Sequence, residues 1–290
     1  MNHASPLSSP ALESEIWHGT TVWTVRAQGA GARISAHGGQ LLSWQPAPDD
    51  EVLWLSAQLQ PLPTPLRGGV PLCWPWFGRP DGAPELPAHG LARTALWEIR
   101  RSESLPDGRV ELELAPSTPL HPWLEVWQVL RVGQTLEQEL HTRHRGTEPY
   151  PLSQALHSYF RLDALADALL LGLEGTAFHD ALHPGLTGSQ QGTWQWDRQQ
   201  DQGRQDRIYP LSGQRLRLER GLRRPALHID AVGASSLVLW TPGPVLGPQM
   251  PDVGEGWQHY LCLEVAHAGD HALTLRPGQA VVLGQRLALA

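Results

Sequence analysis

The chain has 290 residues, a formal charge of −7 and an apolar share of 41%, which is enough to bury a sizeable core as one large domain or two small ones. The acidic balance argues against a general nucleic-acid binder, which would carry a basic face, so any anion site has to be local. Lysine is absent and every permanent side-chain cation is an arginine; this excludes Schiff-base chemistry on lysine and makes any single arginine a weak signal.

Residues 1–15 read as a flexible polar leader with neither a basic nor an apolar targeting region, and 16–290 as one domain without an internal repeat or interdomain linker. No run is long and apolar enough to span a bilayer. Cys73 and Cys262 are too few and too far apart to form a disulfide framework. The expectation is a cytoplasmic monomer with no membrane or nucleic-acid partner.

Short alternating segments dominate the rest. Val110, Leu112 and Leu114 alternate with Glu111 and Glu113, and Leu136 and Leu140 with Glu137 and Glu139, the period of a half-buried strand. Segments 20–25, 51–55, 124–132, 215–219, 237–240, 260–265, 272–276 and 281–289 have similar length and β-compatible content between turn residues. Many short strands punctuated by glycine and proline predict an all-β antiparallel sandwich or barrel. Segment 161–173 fits either a helix, by the spacing of Leu162, Leu165, Ala166, Leu169 and Leu170, or a turn followed by a buried strand. The Gly- and Gln-rich stretch 185–205 reads as a long surface loop.

Arg67–Gly78 (RGGVPLCWPWFG), followed by His89–Arg93 (HGLAR), combines glycines that admit close backbone approach, stiffening prolines, aromatic faces and two guanidinium forks suited to phosphate or carboxylate. A sugar phosphate is the expected ligand. Three further places gather ionisable groups. His157, between Leu156 and Tyr159, is either a cleft imidazole fit for proton transfer or a core histidine satisfied by backbone. Glu264 interrupts the apolar run 260–265 on the strand face of Cys262 and Ala266, either held by partners or simply facing solvent. Asp206 follows the polar loop, where a surface turn is the plain alternative. His141 with His144 and His179 with His183 have spacings that could share a helix face, but no third ligand is spaced to complete a zinc set, so no metal is expected. Nucleophile-elbow, Walker and dinucleotide signatures are missing.

Taken together, Arg67–Gly78, Pro87–Arg93, Leu156–Phe160 and Cys262–Glu264 resemble, in order and approximate spacing, the hexose-6-phosphate mutarotases, also called glucose-6-phosphate 1-epimerases, from about Trp17 to the C-terminus. The resemblance implies a galactose-mutarotase-like fold, a large twisted antiparallel β-sandwich with the sugar on the concave face of one sheet. It also implies anomer exchange without a cofactor, His157 and Glu264 at the catalytic positions, Arg67 and Arg93 as phosphate-binding arginines, Asp206 as a substrate-holding carboxylate and His89 lining the pocket. Glu264 as carboxylate base and His157 as imidazolium acid, on opposite sides of the ring, would open and reclose the pyranose. Two positions depart from the pattern: Thr241 stands in Trp240-Thr-Pro242 where the family commonly has Asn, and Ala88 where some relatives carry Gln. Arg79 reads as a surface charge. The competing readings are an aldose 1-epimerase of unphosphorylated sugar, a non-catalytic carbohydrate-binding protein, and a glycoside hydrolase or lyase, for which only Asp206 offers a second carboxylate.

Overall fold

The computed structural model describes residues 11–80 and 82–290. Positions 1–10 of the expected leader lie outside them. Residues 11–15 correct that expectation, because they form a strand, Ala11–Trp17, paired along its length with Thr20–Ala27. The strand is held by its ladder rather than by burial, since Glu13, Ser14, Glu15 and Ile16 are all exposed. His18 and Gly19 link the two strands at φ 49° and 78°, the positive values a two-residue hairpin turn requires.

Every pairing between named strands is antiparallel among the described residues. Two large sheets form the body. One runs in the order 194–195, 169–171, 216–219, 227–232, 280–289, 135–144, 124–132, 110–116 and 97–104. The other runs 187–189, 177–180, 205–210, 236–241, 260–267, 154–156 and 72–73, with 159–161 also paired to 260–267. A four-stranded sheet of residues 11–45 and a two-stranded one, 150–152 with 273–275, complete the fold. The main core lies between the large sheets, where Leu136, Leu140, Leu283 and Leu287 of the first share one buried cluster with Leu237, Leu239, Leu261, Leu263 and Val265 of the second. Burying such side chains contributes about 1.5–3 kcal/mol each.

Several local expectations change. Segment 51–55 makes only isolated bridges, at Leu53 to Phe160 and Leu55 to Gly68, because its backbone spans between elements instead of running beside one. Segment 161–173 takes the turn-then-strand form, a 3-10 turn at Leu165–Asp167 followed by the strand Leu169–Leu171. Leu169–Leu171 pairs on one side with Leu216–Glu219 and on the other with Trp194–Gln195 in the nine-stranded sheet. The loop 185–205 carries two short strands, Thr187–Ser189 and Trp194–Gln195, and a 3-10 turn. His141 and His144 lie within the strand Thr135–His144, on opposite faces by alternation.

The segment 67–78 threads between sheets. Gly69 N–H donates to Trp54 O and Gly69 O accepts from Tyr159 N–H, while Pro71 O accepts from His157 N–H. Segment 89–93 then bridges onto Trp74 at Gly90, where a Cβ would come within 2.0 Å of Trp74 O and φ is +77°. Gly90→Ala should therefore cost roughly 2 kcal/mol or more of unfolding free energy in urea, whereas Gly213→Ala, at φ +89° with nothing within 4 Å, should cost about 1. Equal losses would show that the close approach at Trp74 is not a constraint.

Candidate functional site

The strand Tyr260–His267 is buried along its whole length, so its two faces meet different environments. Leu261, Leu263 and Val265 enter the main core. Cys262, Glu264 and Ala266 project from the other face by alternation, where Ala266 joins a small apolar cluster with Cys73, Ala155 and Val238. Opposite this strand the chain is paired at Leu156 with Val265 and resumes at Tyr159 with Cys262. His157 and Ser158 sit in the interruption between the two short strands. Ser158 Oγ donates to Gln285 Oε1 at 3.0 Å across the sandwich, and Gln285 Nε2 donates to Gln138 Oε1 at 3.0 Å. The register is continuous across the interruption, from Leu156 opposite Val265 to Tyr159 opposite Cys262, so His157 stands across from Glu264 on one sheet face.

His157 Nε2 lies 3.3 Å from Glu264 Oε1, with the two residues 8% and 1% exposed. The second atom of each, His157 Nδ1 and Glu264 Oε2, is buried without a hydrogen-bond partner. Rings box the imidazole: Tyr159 stacks on it at 4.8 Å and 8°, while His89 and Trp240 approach edge-on at 5.8 and 6.3 Å.

Burial pushes the Glu264 carboxyl well above its ordinary 4.5, the Asp206 charge adding to the rise and Arg93 opposing it. Burial likewise pushes the His157 imidazole well below 6.5, assisted by His89, Arg67 and Arg93. Both shifts disfavour charge: the carboxyl holds its proton more tightly, and the imidazole more loosely, than either group does free in water. A neutral acid and a neutral base in contact are one proton transfer away from imidazolium and carboxylate.

The remaining residues expected from sequence gather around this pair. His89, at φ 62°, is lowered to about 4 by burial with Arg93 and Arg67 nearby. Its Nδ1 accepts from Gly78 N–H at 3.3 Å, which leaves the ring proton on Nε2 as a donor. Arg67 donates from Nε to Asp252 Oδ2 and from Nη1 to Tyr159 Oη, both at 2.9 Å. Arg93 donates from Nη2 to Ala88 O at 2.6 Å and forms no ion pair among the described residues, although it is partly buried. Asp206 stands in the strand Gln205–Pro210, in a row that runs through Trp240 and Cys262 to Tyr159. Burial raises it to about 6, with Arg204 opposing and Asp180 adding.

The solvent-facing alternative for Glu264 is overturned, because both faces of its strand are covered. The two expected catalytic side chains touch instead of standing apart. Of the aromatics in 67–78, Trp74 belongs to the core, its Nε1 donating to Thr142 Oγ1, while Phe77 packs edge-on against His89. Thr241 is fully buried on the face opposite Asp206 and Trp240 and accepts from Gly243 N–H, so the departure at that position concerns the turn after the strand. Arg79 is exposed and donates to Pro84 O and Leu86 O. His183 Nε2 lies 2.6 Å from Asp201 Oδ1, beside Asp180, and His179 lies 3.9 Å from Asp270, both away from the pair. Sequence reading passed over Tyr159, Trp240 and Asp252; the aromatic neighbours of His157 were the available signal for the first, and nothing local marked Asp252.

The site thus places an imidazole and a carboxyl in contact on one face of an antiparallel sandwich, with Arg67 and Arg93 nearby. A sequence profile of the aldose 1-epimerase family matches residues 21–288, and the chain belongs to that family. It is an isomerase, an epimerase or mutarotase, of a small sugar. A relative from Escherichia coli strain K12, named "Putative glucose-6-phosphate 1-epimerase", is 34% identical over 255 residues, covering 82% of this chain and 80% of the relative. The crystal structure of "a putative mutarotase" from Salmonella typhimurium superposes with a TM-score of 0.85 at 26% identity, covering 100% of this chain and 96% of that one. A galactose mutarotase-like protein from Clostridium acetobutylicum shares the fold at a TM-score of 0.70 and 12% identity, covering 97% of this chain and 99% of that one. No helix among the described residues is long and apolar enough to cross a membrane.

The protonated carboxyl has a consequence for stability. Above pH 4.5 the unfolded chain releases the Glu264 proton while the native chain keeps it, so this residue lowers stability as pH rises toward its native value. Glu264→Gln removes that loss: its stability relative to the parent should be greater at pH 8 than at pH 5 in urea unfolding. A gap that stays constant or narrows with pH would show a carboxylate at this position.

Proposed function

We propose that the chain interconverts the α and β anomers of a hexose 6-phosphate, as a glucose-6-phosphate 1-epimerase acting as a cytoplasmic monomer. The observation that carries the reading is Arg93, a partly buried guanidinium without a carboxylate partner, beside Arg67 and next to the His157–Glu264 pair. A cation held this way lacks compensation that a phosphate dianion supplies. A free hexose leaves it unpaired, which is the basis for discrimination.

The anomeric carbon carries two oxygens two bonds apart, so an acid and a base lying side by side serve as well as groups on opposite sides. With the proton on Glu264, the imidazole takes the proton of the anomeric hydroxyl as Glu264 protonates the ring oxygen. The bond from that oxygen to the anomeric carbon breaks, leaving an aldehyde and a hydroxyl. Rotation about the adjacent carbon–carbon bond presents the other carbonyl face, and the same two transfers run backward to close the ring. One proton enters the pair and one leaves, so the pair is unchanged.

The phosphate also acts on the pair at a distance. Its negative charge offsets Arg67 and Arg93, two of the groups that depress His157, and so makes the imidazole a better base, while offsetting Arg93 also leaves the Glu264 carboxyl holding its proton. Asp206 and the His89 Nε2–H supply an acceptor and a donor for sugar hydroxyls.

Pure α-glucose 6-phosphate should reach anomeric equilibrium faster with the protein present, followed by polarimetry or NMR. Glu264→Gln and His157→Asn should each lower kcat by roughly 10²–10⁴-fold. Arg93→Ala should raise KM for glucose 6-phosphate by roughly 10–100-fold, the loss of one charge-assisted contact, and leave KM for glucose far less affected. Equal losses on both sugars would contradict phosphate recognition.

A further inference from the structure

Asp252 belongs to none of the motifs that mark the site, yet its carboxylate is 7% exposed and holds Arg67. The contact runs from Arg67 Nε to Asp252 Oδ2 at 2.9 Å, while Arg67 Nη1 donates to Tyr159 Oη at 2.9 Å. The Tyr159 ring lies parallel to His157, and Trp54 stacks behind it at 5.9 Å. One continuous set of contacts therefore joins Asp252 to the acid–base pair.

The segment bearing Asp252 is itself fixed. Val253 N–H and Gly254 N–H both donate to Met250 O at 3.0 Å. The 3-10 turn that follows, Gly254–His259, packs so tightly on Trp54 that a Cβ at Gly256 would lie 2.7 Å from its ring. Pinning Nε and one Nη1 hydrogen leaves Arg67 three N–H groups, on Nη2 and Nη1, aimed in a set direction. An arginine without such an anchor would keep its charge and lose its aim, and a small misplacement at a binding fork is costly.

We propose that Asp252 is a positioning residue: together with the Tyr159 hydroxyl it orients the Arg67 fork toward the phosphate. The proposal rests on the hexose 6-phosphate reading. It separates aim from charge. Asp252 also cancels part of the Arg67 charge, so a role in masking that charge would make its removal tighten phosphate binding; a role in positioning makes removal weaken it.

The test is steady-state anomerisation of glucose 6-phosphate and of glucose by Asp252→Ala, Asp252→Asn, Arg67→Ala and Asp252→Ala/Arg67→Ala. Asp252→Ala should raise KM for glucose 6-phosphate roughly tenfold or more, with kcat changed by less than about threefold, so that the ratio of kcat/KM for the two sugars falls about tenfold. Asp252→Asn keeps an acceptor oxygen for Nε and should recover most of the loss. In the Arg67→Ala background the Asp252 change should add nothing further to that ratio. Tyr159→Phe, which keeps the ring and removes the other anchor, should shift KM the same way by a smaller factor, and it decides the matter should Asp252→Ala fold poorly. An unchanged or lowered KM, an equal loss on glucose, or additive effects in the double variant would overturn the proposal. Should Arg67→Ala and Arg93→Ala leave the sugar ratio untouched, the hexose 6-phosphate reading itself falls, and this inference with it.

Discussion

A carboxyl and an imidazole 3.3 Å apart, with the carboxyl sealed and the imidazole almost so, cannot both take their ordinary charge states. Desolvation is the largest cause that drives one up and the other down, so each group is pushed toward its neutral form. The other features of the site follow from keeping that pair balanced. Contact with one another keeps the neutral and ionic forms within a single proton transfer. Arginines nearby depress the imidazole, Arg93 also lowers the carboxyl, and an anionic substrate offsets both effects.

The scaffold holds the pair by polar means that the apolar core alone could not supply. Ser158, the residue after His157, is tied to Gln285, then Gln138, then Gln128, and Gln128 Nε2 donates to Gly39 O, so a line of buried hydrogen bonds crosses from one sheet into the other. A second line runs from Trp74 through Thr142 to Gln154 in the strand just before His157. The first line pairs its glutamines with one another, and such buried hydrogen bonds specify a particular arrangement of the elements they join. They brace the stretch between Leu156 and Tyr159, whose register sets the imidazole across from the carboxyl on one face. Glycine at 90 does the same for the arginine side, allowing the 89–93 segment to lie against Trp74 closely enough to bring His89 and Arg93 beside the pair.

Much of this was legible in the sequence because it rests on local chemistry. Alternation marked the strands 110–116, 135–144 and 260–267, and the density of glycine, proline, arginine and aromatic residues in 67–78 and 89–93 marked the site segment. What could not be read depends on long-range pairing. The strand Ala11–Trp17 has little apolar patterning and exists through its partner's backbone. Segment 161–173 has helical spacing, yet the open edge beside 216–219 takes Leu169–Leu171 as a strand. Glu264 looked as fit for solvent as for a cleft because alternation describes faces without saying what covers them. Asp252 was silent for the same reason: its meaning comes from Arg67, 185 positions earlier.

The shared proton is the part of the account most directly open to measurement. Ring-nitrogen NMR of His157 in the free protein, titrated from about pH 5.5 to 8, should report a neutral imidazole throughout, with one fixed tautomer and no inflection near the ordinary histidine value. A ring that titrates within that range, or that is already imidazolium at neutral pH in the free protein, would contradict it.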